Sequence, residues 1–365
     1  MRPQGSEQKE IIVTGISTQE AREIAKEAYI FGFPFVANYR VFIDRLVSGH
    51  PVMQGAGFNQ FAHNRQLFPP TTPDTTQRDT LFSLGILDLR REPMVISVPD
   101  VPQGQVYMLQ MGDTSTESLP YISTLTTGNK AGDYVLVGPD FQGYLPATRF
   151  DGVITTRGQF VVMLGRTVVL DPDDLSAAHA IQDGMQMRPL SEFLGSEPPP
   201  EPEAIDFLPW EPEGAEGLGI FDYINMALAW HPPALYEVEA MAAFAKIGVI
   251  PGQRFSSAGL PADVVQAVEA GVAEARAEIA KLADETAGGE LVGAWLWATK
   301  DNSRFGRDYL TRAVIALRTI YPNAPDHAIY GLANQDLAGE PLQGENSYEM
   351  RFEAGELPPV DWFWS

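Results

Sequence analysis

The stretch 73–143 sets the narrowest limit on what this chain can fold into. Its apolar or alternating runs are Thr80–Leu89, Met94–Val98, Val106–Met111 and Tyr134–Val137. Pro93, Pro99, Pro102, Gly104, Gly128, Gly132 and Pro139 divide them. Breakers at that spacing punctuate consecutive short strands, so the stretch predicts an antiparallel sheet or sandwich. Its turns collect Asp79, Asp88, Asp113, Thr114 and Thr116, acids and hydroxyls that a strand interior would not carry. A further strand, Gln159–Leu170, closes the β block.

The flanks follow a different period. Ser17 and Glu20 form a capping-box pattern that opens a helix, with Ile24, Ala25, Ala28, Tyr29 and Phe31 at helical spacing. Gly32 and Pro34 are expected to break or kink it before a second apolar face, Phe35–Leu46. Residues 49–72 read as a long ordered loop carrying His63 and Arg65. Asp171–Asp174 caps a short helix through about Met187. PPPEPE marks 189–217 as a solvated, semi-extended linker. Helices are then expected over Ile220–Trp230, Ala234–Ile247, Val264–Leu282 and Tyr309–Ile320. Strands return at Ile329–Leu332 and Ser347–Phe352. The predicted fold class is α+β: N-terminal helices and an antiparallel β-sandwich-like domain (1–188), a linker (189–217), a helical middle region (218–325) and an incomplete, jelly-roll-like C-terminal β domain (326–365). The final DWFWS stops on aromatics with no polar ending, which points to missing sheet partners.

Composition removes whole classes of function. A formal charge of −23 repels phosphate backbones and anionic lipid, so no nucleic-acid partner is expected. With no cysteine, disulfides, thiolate nucleophiles and Cys-ligated metals are excluded. No apolar run is long enough to span a bilayer, and MRPQGSEQKE lacks the apolar core of a signal peptide, so the chain as it stands reads as cytoplasmic. Patterns of the zincin, nucleophile-elbow, P-loop and EF-hand kinds do not occur.

Several motifs together resemble a known family. YIFGFPFV (29–36), FAHNRQLFPP (61–70), RDTLFSLGILDLRREPMVISVPD (78–100), TTGNKAGDYVLVGPDFQG (126–143) and LGRTVV (164–169) are similar to the bacterial domain of unknown function 1254. PGQRFS, DYLTRAVIAL and PLQGENSYEMRFEAGELPPVDWFWS resemble the linker helices and the start of its companion, domain of unknown function 1214. The resemblance implies two β-sandwich-like domains joined by helices, and relatives that are often exported. It carries over no catalytic set. Gln77, Val106-Tyr107-Met108 and Gly112-Asp113-Thr114-Ser115 depart from the family pattern. The companion ordinarily continues past the last residues here, so the chain reads as a truncated form.

Four residues stand out as a candidate catalytic set: Asp79, Asp113, His63 and Arg65. Asp79 and Asp113, at ends of neighbouring strands, could bind a divalent metal or divide acid and base roles, unless Asp79 only caps a turn. His63 and Arg65 either anchor their loop or supply a general base and an anion-holding cation. Asp88 and Arg91 read as a structural pair. Two functions remain open: a hydrolase or lyase acting on a small, partly apolar molecule, and a non-catalytic ligand-binding or assembly module that works as a homo-oligomer.

Overall fold

The computed structural model describes residues 15–42, 57–69, 77–285, 290–292, 295–297, 303–355, 357–358 and 360. In chain order the elements are α1 (Thr18–Phe42), β1 (Ala62–His63), β2 (Thr80–Asp88), β3 (Met94–Val98), β4 (Tyr107–Asp113), β5 (Ile122–Ser123), β6 (Gly132–Val137), β7 (Gly152–Thr155) and β8 (Phe160–Val168). There follow α2 (Ser176–Gly184), β9 (Gln186–Pro189), α3 (Leu190–Leu194), α4 (Pro212–Glu216), α5 (Ile220–Trp230), α6 (Val238–Ala245), α7 (Ala262–Glu285), β10 (Glu290–Val292), β11 (Trp295–Trp297), α8 (Tyr309–Arg318) and β12 (Gly331–Ala333). The fold is α+β.

The runs between the breakers become two facing sheets, in the orders β1-β2-β8-β4-β5 and β7-β6-β3-β9. Every second residue faces the partner sheet. Leu87, Leu109, Met111, Val161 and Met163 from the first sheet therefore meet Met94, Ile96, Tyr134 and Leu136 from the second in one core. The second sheet is mixed rather than purely antiparallel, because β7 joins β6 in parallel. Its edge strand β9 occupies the end of the stretch expected to be helix. There the helix stops at Gly184, and Gln186–Pro189 pairs with Met94–Ser97 instead.

The outer face of the first sheet is also apolar. Leu84, Ile86, Phe160 and Val162 pack with Phe42 of α1, Trp230 of α5 and Tyr321. Beyond them α1, α5, α7 and α8 form a helical layer around Phe31, Phe35, Phe221, Val268, Val272 and Val314. Helix α1 runs unbroken through Gly32 and Pro34, contrary to expectation. A proline inside a helix costs about 3 kcal/mol, and burial of Phe31, Phe35 and Tyr39 offsets it. Asn38 Nδ2 donates to the Pro34 carbonyl at 2.9 Å. Gly32 is needed because Ile224 of α5 fills the space a β-carbon would take.

The Pro/Glu-rich stretch is pinned to both layers. Arg90 Nη1 and Arg91 Nε donate to the carbonyls of Glu203 and Pro199, each at 2.9 Å. Tyr39 Oη donates to the Leu208 carbonyl at 2.5 Å, and Phe207 and Trp210 pack on the helical core. Asp88 pairs with Arg90 (2.6 Å) rather than Arg91, which reaches Glu201 (2.5 Å). At the C-terminal end, β12 pairs with β11, and Ser347–Phe352 forms no strand. The terminal DWFWS lies outside the described residues.

Helices α1 and α7 meet at Gly271, where a β-carbon would run into the backbone carbonyl of Arg22. Backbone cannot yield as a side chain can. Gly271→Ala is therefore expected to lower stability by about 1–3 kcal/mol, read as a shift in the urea midpoint with the same slope.

Candidate functional site

Strand β4 ends at Asp113, and the chain turns sharply through Thr114–Glu117, with Thr116 held at φ +76°. Asp113 organises that turn. Its Oδ1 accepts from Ser115 N (2.8 Å), Ser115 Oγ (2.7 Å) and Glu117 N (3.2 Å). Such a short polar side chain satisfies backbone donors that the strand no longer can. Asn38 of α1 locks the turn from outside, donating from Nδ2 to Thr116 Oγ1 at 3.0 Å.

The turn sits where the sheet meets the helices, and a buried polar seam runs along that junction. His231, directly after α5, is 1 % exposed. Its Nδ1 shares a 3.0 Å hydrogen bond with Thr114 Oγ1. Its Nε2 lies 3.9 Å from Asp113 Oδ2, too far for a hydrogen bond, and has no hydrogen-bond partner among the described residues. Burial pushes the imidazole down to about 4, Arg157 and Arg312 push the same way, and Asp113 opposes them. The ring is therefore neutral at pH 7.

Arg312 of α8 is fully buried. Nη2 donates to the Phe31 carbonyl (3.1 Å), while Nε and Nη1 have no hydrogen-bond partner among the described residues. The guanidinium lies 5.0–5.8 Å from the ring centres of Tyr309, Phe31 and Phe35, which shelter it by cation–π contact. Glu237 accepts from Arg157 Nη1 (3.2 Å), Tyr309 Oη (3.2 Å) and Ala234 N (2.6 Å). Glu117 accepts from Phe305 N (3.1 Å) and Gly306 N (3.0 Å), and burial raises its carboxyl above the usual range.

The four residues singled out from the sequence do not share a cavity. In the pairing with β8, Asp113 stands opposite Val161, whereas Thr80 stands opposite Val168 and the Asp79 carbonyl accepts from Val169 N. Eight residues of strand separate the two aspartates, about 25 Å at roughly 3.3 Å per residue. They cannot share an ion or divide acid and base roles. Strands β2 and β4 both pair antiparallel with β8 and so run parallel to each other, which places the start of one and the end of the other on opposite rims.

His63 lies midway, on the edge strand β1. Its Nδ1 bonds Ser83 Oγ at 2.9 Å, and its ring stacks on Phe61. Burial, and then the charge of Arg65, lower its pKa. A neutral imidazole against a serine hydroxyl can activate a nucleophile. Here, however, Ser83 is fully buried and its Oγ also takes a hydrogen bond from Gln182 Nε2 (3.2 Å), which makes the pair a tie between strand and α2. Arg65 forms a fork with Asp183 (2.7 and 3.2 Å) at the surface of α2. A groove of about 480 Å³ is lined by Asn59, Phe61, Met187, Arg188 and Glu192, and none of the seam's side chains borders it. Among the described residues, no group of three or more His, Cys, Asp or Glu could hold a metal ion. No described helix is long and apolar enough to cross a membrane.

Sequence reasoning found Asp113 but missed His231, Arg312, Glu237 and Arg157. The only local sign was polarity inside helices otherwise apolar at that face. Arg312 interrupts YLTRAVIALR on its buried side, and His231 stands before Pro232-Pro233. Replacing Asp113 leaves three donors unsatisfied in the interior. Asp113→Ala is expected to cost about 3 kcal/mol, while the half-buried Asp79→Ala is expected to cost no more than about 0.5 kcal/mol. Urea unfolding of the two variants side by side measures the contrast.

Residues 58–189 match the family model described as Protein of unknown function (DUF1254), and residues 327–365 match Protein of unknown function (DUF1214). No curated protein matches the chain. Among solved structures, the VPA0106 protein from Vibrio parahaemolyticus is 21% identical over 89% of this chain and 73% of its own, with a TM-score of 0.66, and so shares the fold. An uncharacterised protein from Burkholderia cenocepacia is 10% identical over 51% of each chain, with a TM-score of 0.26. The two matches fall in that order along the chain, the first over the β-sandwich and the second at the C-terminal end.

Proposed function

We propose that the chain is a non-catalytic assembly module that presents residues 327–360 to a β-rich partner surface. The observation that carries this reading is the exposure of an alternating apolar row. Tyr348, Met350 and Phe352 occur at every second position, as a half-buried strand requires, yet they are 37–58% exposed. Ile329, Leu332, Leu337 and Leu357 of the same segment are exposed as well, Leu337 by 97%. In the described residues this segment has only the short pairing of β12 with β11 and a single bridge, Gln335–Pro341. An apolar strand pattern without a sheet is suited to completing one. The partner is a sheet of DUF1214 type, on the same polypeptide or another. On this reading the segment that follows Tyr330 is a unit of its own, moored to the sandwich by His327, whose Nε2 shares a 3.1 Å hydrogen bond with Ser123 Oγ and whose ring stacks on Tyr121.

The chain alone is expected to bind a hydrophobic dye or to sediment as an oligomer. Changing Tyr348, Met350 and Phe352 together to Lys should abolish both without moving the thermal midpoint. A monomer that binds no dye overturns the proposal.

A hydrolase or lyase acting on a small, partly apolar molecule is the alternative. Its best support is the neutral His231 between the Asp113 carboxylate and the Thr114 hydroxyl, the groups used in nucleophilic hydrolysis. All three are at most 5% exposed, and substrate would need an opening to reach them. A metabolite screen tests this second reading: a turnover that His231→Gln abolishes in a folded protein would favour it over assembly.

A further inference from the structure

We propose that the seam at His231 is a proton-operated latch, in which one proton on the imidazole parts the helical layer from the five-stranded sheet. The position of the ring is the first support. Trp230, its neighbour at the end of α5, accepts a hydrogen bond from Gln159 N at 2.7 Å, and a β-carbon at Gly158 would lie 2.8 Å from His231 Nδ1. With Thr114 on the other strand end, His231 is thus seated against two parts of one sheet rim while its backbone belongs to the helices.

Every element packed around the ring bears on its charge. The end of β4 supplies Asp113, the turn between β7 and β8 supplies Arg157, the segment before α6 supplies Glu237, and α8 supplies Arg312. Glu117, in the turn after β4, faces Asp113 and Arg312. Helix α1 contributes only the uncharged edge of Phe35, its ring centre 5.1 Å away. A neutral ring suits this site better, because Thr114 serves Nδ1 and the unpaired Nε2 need carry no proton. A charged ring would carry a second N–H towards Asp113 Oδ2, 3.9 Å away, with two guanidiniums nearby and both side chains almost wholly buried. Pairing Nε2 with Asp113 requires closing about 1 Å, and that movement draws the end of α5 off Gly158 and Gln159. Relief comes from separation, in which water solvates the imidazolium.

The direction of the effect follows from the protonation states. The folded ring holds its proton only near pH 4, against an ordinary 6.5. The open form therefore binds protons more readily, and the closed seam loses stability as pH falls from about 6.5 towards 4. Above 6.5 the latch contributes no pH dependence.

Hydrogen–deuterium exchange of the whole chain at pH 7.5, 6, 5 and 4.5, corrected for intrinsic rates, tests the proposal. Peptides covering 113–118, 155–159 and 220–245 are expected to lose protection by up to about tenfold per pH unit below 6.5, while 80–88 and 132–137 hold theirs. His231→Gln, neutral at every pH, should keep its neutral-pH protection down to pH 5. Protection lost evenly across the chain, or lost alike in His231→Gln, overturns the latch. Should that variant not fold, nuclear magnetic resonance titration of the unmodified protein decides: a His231 ring titrating near 6.5 without added exchange also overturns it.

Discussion

Strand β8 is the constraint on which the rest of the molecule depends. It pairs along its length with β2 on one side and β4 on the other, and it is buried on both faces. Val161 and Met163 face the second sheet, while Phe160 and Val162 face the helices. A strand with two apolar faces must be covered twice, which dictates a sheet on one side and a helical layer on the other. Fully burying an aliphatic or aromatic side chain is worth about 1.5–3 kcal/mol, so either cover left off would expose several such contributions at once.

Two covers on one sheet create the problem that the polar seam solves. Where the strands end, backbone groups lose their ladder partners while still enclosed. Asp113 satisfies part of that need by accepting from the backbone N–H groups of Ser115 and Glu117, and Asn38 ties the turn to the helical side through the Thr116 hydroxyl. The charged groups that follow, Arg157 with Glu237 and Arg312 within its ring of aromatics, join the layers with directional contacts that apolar packing cannot supply. Buried charge of this kind is expensive. Its use here fixes how the helices sit on the sheet more than it adds stability.

Much of this was legible in the sequence. The short apolar runs of 80–137 gave their strands to within a residue or two, because breakers and a period of two are local signals. The helices from 220 to 318 were equally plain. What was not legible depended on distant partners. Pro34 reads as a break until Phe31 is seen packed against α6 and α8, and Phe35 against Arg312 of α8. Gln186–Pro189 reads as the end of a helix until β3 offers an open edge. Asp79 and Asp113 look like neighbours because each ends a strand. Only the strand order, with β8 between β2 and β4, reveals that they occupy opposite rims. His231 and Arg312 were invisible as a pair, since nothing in their own surroundings announces a carboxylate more than a hundred residues earlier.

The bond from Arg312 to the carbonyl of Phe31 joins positions 281 apart in the chain. On a ribosome adding roughly 5–20 residues per second, α1 would emerge and then wait roughly a quarter of a minute to a minute before its partner in α8 exists. Until α5, α6 and α7 follow, the aromatic face of α1 lacks its cover, and its seat against α8 is completed last, while the sandwich can complete its own core from residues already made. Synthesis thus imposes an order, sheet layers first and helical layer last, and leaves the nascent N-terminal helix as the stretch that a chaperone would meet.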